Sequence, residues 1–218
     1  MSAMFFSVWR QVAAGKTPMR ALMNEALRSH TVQSGVVVDV GGGKNPSYRS
    51  YLQGWHAGVR NLDKQHGEGA SREVDFERDT LPFDDASVDQ VLIFNVLEHV
   101  YHHEHLVREL RRILKEGKDV LGFVPFLINY HPDPHDYFRY TGEALRQIFK
   151  DAGFANIEIH TVGLGPFVVN GNTLASFMPR AVNTLVWPVV YAFDRLLLAL
   201  KPSFAARFPL GYLFILTK

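Results

Sequence analysis

The run Val36-Val37-Val38-Asp39-Val40-Gly41-Gly42-Gly43 constrains this chain more than any other stretch. Val36 to Val40 are short, apolar and rich in β-branched residues, which fits a strand buried on both faces of a parallel sheet. The glycines that follow let the backbone turn sharply and approach a ligand with no Cβ in the way. A strand ending in such a turn is how α/β proteins hold a nucleotide-like cofactor, so a cofactor-dependent enzyme is the leading expectation. A GxGxxG fingerprint would begin at Gly41, match Gly43 and need glycine at position 46, where this chain has Pro46. That weakens a dinucleotide reading. About twenty residues on, Val59-Arg60-Asn61-Leu62-Asp63 reads as a second strand ending in an acid. Asp63 could accept both hydroxyls of a ribose or simply serve as a turn residue. Asp39 is equally double-sided: it could orient the glycine turn or merely end its strand.

Three further stretches follow in order: Asp75-Phe76, then Leu81-Pro82-Phe83-Asp84-Asp85-Ala86-Ser87-Val88-Asp89-Gln90-Val91, then Asn95-Val96-Leu97-Glu98-His99-Val100. Together they resemble the core of class I S-adenosylmethionine-dependent methyltransferases, in the branch called methyltransferase type 11. The resemblance covers about residues 35 to 160. It implies that Asp39, Gly41 and Gly43 line the methionine part of the cofactor, Asp63 holds the ribose, and Asp75 with the Phe76 backbone holds the adenine. It also implies that Asn95 lies beneath the sulfonium and that His99 stands near the cofactor. Two positions depart from the family pattern. Its third glycine falls on Asn45, a residue type that tolerates left-handed backbone, and its proline-glycine-glycine turn has become Glu116-Gly117-Lys118.

Composition is compatible with this. The 218 residues suffice for a full core in one domain with terminal additions. The 23 basic and 22 acidic side chains nearly cancel and form no dense basic run, which argues against a nucleic-acid partner. Zero cysteines exclude disulfides, a thiolate nucleophile and a zinc-cysteine site. The expected compartment is the cytoplasm, with contact at the membrane periphery kept open. Met4 to Trp9 are apolar but lack a basic leader and a cleavage site, so they do not read as a secretion signal.

The expected organisation is one methyltransferase domain: N-terminal helices over 1–34, a cofactor-binding core over 35–163, an apolar helical insert over 164–209 and a final strand over 210–218. The two N-terminal helices span 4–14 and 18–30, with Thr17 as a cap and Pro18 at the first helical position. Strands are expected at 36–40, 58–63, 72–76, 88–94, 118–125, 155–161 and 211–217, and helices at 105–114 and 141–152. This alternation gives an α/β fold: a Rossmann-like, seven-stranded methyltransferase sheet with helices on both faces, an N-terminal helical cover and the last strand antiparallel.

The loop Asn129-Tyr130-His131-Pro132-Asp133-Pro134-His135-Asp136-Tyr137-Phe138-Arg139-Tyr140-Thr141 follows the fifth strand, where ligands sit in a doubly wound sheet. Methyl transfer from a sulfonium is an in-line displacement, so alignment at close range carries much of the catalysis. A hydroxyl acceptor also needs a base, for which His131 and His135 are the candidates, with Tyr137 and Arg139 beside them. Against that, Pro132 and Pro134 could just stiffen a surface loop whose histidines cap or pack. The second histidine run, His99 to His105, invites a metal through His99 and His103. No metal is expected there, because methyl transfer from a sulfonium needs none.

Residues 181–200 are apolar nearly all round. Pro188 and the pair Asp194-Arg195 are expected to break the run, which speaks against a transmembrane anchor. The apolar surface then needs a cover: a hydrophobic acceptor under a buried lid, a second subunit through residues 172–207, or a membrane surface. The function expected is methyl transfer to a small acceptor, lipid-like or glycan-linked; the alternative is a methyltransferase-like scaffold without turnover.

Overall fold

The computed structural model describes residues 3–43, 45–63 and 72–218. Its elements are α1 (Ala3–Ala13), α2 (Pro18–Leu27), β1 (Val37–Val40), β2 (Val59–Asp63), β3 (Arg72–Glu73), β4 (Val88–Phe94), α3 (His103–Ile113), β5 (Leu114–Pro125), α4 (Gly142–Asp151), β6 (Asn156–Val162), α5 (Pro166–Ala175), α6 (Arg180–Leu200) and β7 (Gly211–Thr217). One sheet takes the order β3-β2-β1-β4-β5-β7-β6. β1 to β5 are mutually parallel, and β7 runs antiparallel between β5 and β6. This is the Rossmann-like methyltransferase sheet that the sequence leads one to expect, with six longer strands and a two-residue edge.

That edge is shorter than the expected 72–76 because the chain turns at once. The Arg78 and Asp79 amides donate to the Asp75 carbonyl, and the Asp75 amide donates to Asp79 Oδ2. β5 is longer than expected, since α3 hands over to it directly at Leu114. The Glu116-Gly117-Lys118 stretch joins the strand, with Gly117 at φ +71° and the pairing with β4 slipping between Val88 and Gln90.

Period-two alternation divides the strand residues between two layers. Val38, Val91, Ile93 and Phe214 pack with Leu106 and Leu110 of α3 and Leu145 and Phe149 of α4. Val37, Leu92, Phe94 and Leu213 pack with α1, α2, α5 and α6 through Phe5, Leu22, Val168 and Trp187. Each such side chain, fully buried, contributes about 1.5–3 kcal/mol. Thr17 accepts from the Arg20 amide and Thr141 from the Ala144 amide, capping α2 and α4 as expected.

α6 corrects the expectation of a break. It runs unbroken for 21 residues through Pro188. Asp194 does not interrupt it: the carboxylate is fully buried and accepts from the Phe167 and Val168 amides at 3.0 and 2.7 Å. It thereby caps the N-terminus of α5 from a neighbouring helix. By length and composition α6 is long and apolar enough to cross a membrane. Its Trp187, Tyr191 and Asp194 face is nevertheless buried against the rest of the domain. The other face corrects the buried-lid expectation. At 100° per residue Val182, Leu185, Val189, Phe193, Leu196 and Leu200 fall within an arc of roughly 80°. That arc points outward, with Leu185 and Leu200 each 74% exposed.

Candidate active site

β1 delivers Asp39 and the glycine turn to the carboxyl end of the sheet. Gly41 and Gly43 adopt φ of +72° and +63°, and the Gly41 amide donates to Leu62 O at 2.7 Å, tying the turn to β2. Asn61 Nδ2 holds the Gly43 carbonyl from the same side. A Cβ on Gly42 would stand 2.0 Å from Asp39 Oδ2, so the turn closes directly over that carboxylate.

Asp39 therefore faces inward and orients the turn. It is 1% exposed, and its two oxygens share the one proton of the Tyr48 hydroxyl, at 2.7 and 2.9 Å. Burial pushes its pKa up to about 7, with Tyr48 opposing and the Asp63 charge adding to the rise. Tyr48 escaped sequence reasoning, because nothing local links a tyrosine nine residues away to the end of a strand.

Asp63 closes β2, and its Oδ2 lies 3.8 Å from where a Cβ on Gly43 would be. Asp75 bends the chain after β3, its Oδ1 accepting from the Glu77 amide, while the Phe76 side chain is buried in the core. Asn95 follows β4 at φ +57°, its amide bonded to Phe123 O at 2.9 Å, its Oδ1 buried without a hydrogen-bond partner. A glycine turn, a strand-end carboxylate and an orphaned amide oxygen at adjacent carboxyl ends are a donor and acceptor set able to hold a nucleoside with a polar tail. Arg20 of α2 joins them from the N-terminal cover. Its guanidinium is lowered from the usual arginine range by burial and raised in part by Tyr48 and Glu98.

The loop after β5 folds back onto the turn after β4. The Glu98 carbonyl accepts from the Tyr137 and Phe138 amides at 2.8 and 3.3 Å, and the Tyr140 hydroxyl donates to Leu97 O at 3.0 Å. This brings His131 to His99, with ring centroids 5.0 Å apart, and both to the buried Glu98 carboxylate. The side-chain contact with the Glu98 carboxylate raises the His131 pKa above its ordinary value; burial opposes, and the Asp136 charge adds to the rise. Burial alone would raise Asp136, but the Arg139 fork and the His131 amide outweigh it and hold its pKa at about 2.

The other candidate residues of the loop stand differently. His135 is exposed and gives the cluster only its carbonyl, which meets His99 Nδ1 at 2.5 Å. Tyr137 is 42% exposed and lies edge-on to Tyr101 at 5.4 Å. Arg139 is engaged with Asp136 and with the Asn129 and Phe138 carbonyls, so it organises the loop. Sequence reasoning gave no role to Glu98 or Asp136, since only the fold-back of the loop makes them meet. His103, considered with His99 for a metal, lies edge-on to Phe138 and Tyr140 at 4.8 and 5.3 Å.

The strand order and this rim define a class I methyltransferase fold. Residues 53–121 match the family model for a methyltransferase domain of type 11. A Mycobacterium tuberculosis protein described as a probable S-adenosylmethionine-dependent methyltransferase is 29% identical over 126 residues, 52% of this chain. The chain spans about half the length of that relative, with 46% of it covered. Among solved structures, an S-adenosylmethionine-dependent methyltransferase from Archaeoglobus fulgidus shares the fold with a TM-score of 0.54 at 16% identity, over 96% of this chain and 94% of that one. Geranyl diphosphate C-methyltransferase from Streptomyces coelicolor does so with a TM-score of 0.54 at 16% identity, over 90% and 78%. Over residues 53–121 the chain is similar to type 11 methyltransferase domains, and its fold is that of S-adenosylmethionine-dependent methyltransferases of known structure.

Proposed function

We propose that this protein transfers a methyl group from S-adenosylmethionine to a small acceptor, lipid-like or glycan-linked. One observation carries the reading: the glycine turn, Asp63 and Asn95 meet at adjacent strand ends, and the Glu98–His131–Asp136 cluster follows on the same rim. When bound, S-adenosylmethionine supplies an electrophilic methyl on sulfur. Asp63 holds the ribose hydroxyls, Asp75 and the Phe76 backbone the adenine, and Gly41, Gly43 and Arg20 the methionine tail. Asn95 offers its unpartnered Oδ1 beneath the sulfonium, and Asp39 acts through the turn it orients.

The acceptor's proton leaves through the cluster that contains His131 and Glu98, and Asp136 fixes the His131 ring. His135, Tyr137 and Arg139 shape the loop around it. The scaffold alternative is disfavoured by a buried carboxylate and two imidazoles held together without a packing purpose.

The outer face of α6 supports a lipid-proximal setting: a cytoplasmic protein resting peripherally on a membrane. Asp194 is the sole acidic residue over 164–210 and is buried, whereas Arg195, Lys201 and Arg207 are exposed. Apolar insertion and basic residues act together on anionic lipid. In a homodimer through the same face, these basic groups would be gathered around one interface. Incubation with radiolabelled S-adenosylmethionine and a metabolite extract tests the activity. A labelled product names the acceptor; label left entirely in the cofactor, across extracts that contain lipids and glycans, contradicts turnover.

A further inference from the structure

We propose that Glu98, His99 and His131 form a binding site for a divalent transition-metal ion. Each offers one ligand atom, and the three atoms lie within 4.8 Å of one another. His99 Nε2 and His131 Nε2 stand 3.6 and 3.8 Å from Glu98 Oε1. Those separations are too long for hydrogen bonds. They are close to the ligand–ligand edge of about 3.4 Å in a tetrahedron with bonds of about 2.1 Å to nitrogen and oxygen. The two Glu98–histidine edges are within a few tenths of an ångström of that length, and the third edge is no longer than 4.8 Å.

Glu98 itself is the second observation. Its side chain is 0% exposed, and neither carboxylate oxygen has a hydrogen-bond partner. The backbone at Glu98 is pinned, its carbonyl holding the Tyr137 and Phe138 amides, so the carboxylate is fixed facing the two imidazole Nε2 atoms, beyond hydrogen-bond reach of either. A buried anion left in that condition is costly, and a cation removes the cost.

The far nitrogens of the two rings supply the third. A backbone carbonyl only accepts, so the contact between His99 Nδ1 and His135 O puts the proton on Nδ1. In the neutral ring Nε2 then presents a lone pair toward a carboxylate oxygen, an arrangement that repels unless a cation lies between them. Metal-bound histidines commonly carry such an outer carbonyl, which fixes the tautomer and raises ligand basicity. The His131 ring is held in place by the Arg139–Asp136 pair, its Nδ1 lying 3.3 Å from Arg139 Nη2 and 3.5 Å from Asp136 Oδ2.

Two imidazoles and one carboxylate favour borderline ions such as Zn²⁺, Co²⁺ or Fe²⁺ over Mg²⁺ or Ca²⁺. Three protein ligands leave a coordination position open. The His131 side chain is 38% exposed, so the site can be reached from solvent beside the acceptor loop. That an acceptor oxygen fills the open position rests on the proposed methyl transfer; the ion site does not.

The test uses the full chain, freed of any affinity tag, stripped with chelator and titrated with Co²⁺ and Zn²⁺ by calorimetry, with the visible Co²⁺ spectrum as a second readout. The expectation is one ion per chain, preferred over Mg²⁺, with a ligand-field band. His131→Ala and His99→Ala should each weaken binding by about 10-fold or more and alter the band. His103→Ala, in the aromatic cluster, should leave both unchanged. His131 sits on a half-exposed loop, and circular dichroism checks that its variant folds. Failure of the wild type to bind Co²⁺ below about 1 mM, or unchanged affinity and spectrum in both histidine variants, would overturn the site. Either result leaves S-adenosylmethionine binding, which is measured separately through Asp63, untouched.

Discussion

The rim of the sheet and the outer face of α6 use their residues in opposite ways. At the rim, polar groups are buried and fixed: Asp39 by Tyr48, Asp136 by Arg139, and the Glu98 backbone by the returning loop. On α6 apolar groups are exposed in one stripe, while its few polar groups are turned inward or to the edge. Buried polarity stabilises a protein little and is costly unless paired, so it marks a place where small-molecule chemistry is prepared. Exposed apolar area of this continuity marks a surface that meets another surface. On the proposed reading the chain separates chemistry from attachment, with the buried Asp194 and Trp187 packing α6 against the domain between them.

The comparison breaks first at Asp63. Replacing it with alanine should weaken S-adenosylmethionine binding by about 2–4 kcal/mol if two charge-assisted bonds to the ribose are lost. Calorimetry on the folded variant giving wild-type affinity removes Asp63 from the site. Next comes His131→Ala, for which turnover on the true acceptor should fall by about a hundredfold while cofactor affinity is kept. A variant with full turnover moves the chemistry off the cluster.

Asp39 sharpens the contrast through pH. Its pKa is raised on folding to about 7, so the folded state binds a proton more tightly than the unfolded chain. Stability from this group is complete below the unfolded value near 4 and is lost as pH rises through 7, by about 1 kcal/mol between pH 6 and 8. Asp39→Asn should flatten that part of the curve. Chemical denaturation with the same slope in both proteins would show that Asp39 is ionised at no such cost. The smallest effect on the fold belongs to α6: Leu185→Ser, Phe193→Ser and Leu196→Ser should each change stability by less than about 0.5 kcal/mol. Combined, they should abolish flotation with anionic liposomes. Retained flotation sinks the membrane reading, and a wild-type dimer dissolved by the triple variant replaces it with a subunit interface.

Much of the rim was legible in the chain because it is local. The β1 glycine turn, Asp63 at the end of β2, Asn95 at the end of β4 and the Thr17 and Thr141 caps are each written within a few residues, where strand period, backbone freedom and capping act. Tyr48 beneath Asp39, the meeting of Glu98 with His131, and the engagement of Arg139 by Asp136 were not. Each joins groups whose approach depends on how a loop returns. The sequence likewise shows that residues 181–200 are apolar, but not which side faces out, because a helix that is apolar nearly all round carries no directional signal.

What the sequence alone determined is the ordered succession of strands, turns and helices and the residue types at the strand ends. Hydrophobic period and glycine freedom are short-range physics and survive any packing. Only the tertiary structure decided that Pro188 leaves α6 whole, that Asp194 caps another helix, and that an orphaned carboxylate and two imidazoles share one corner. Those outcomes depend on burial, which is a property of neighbours brought together from distant parts of the chain and so is written in no single stretch of it.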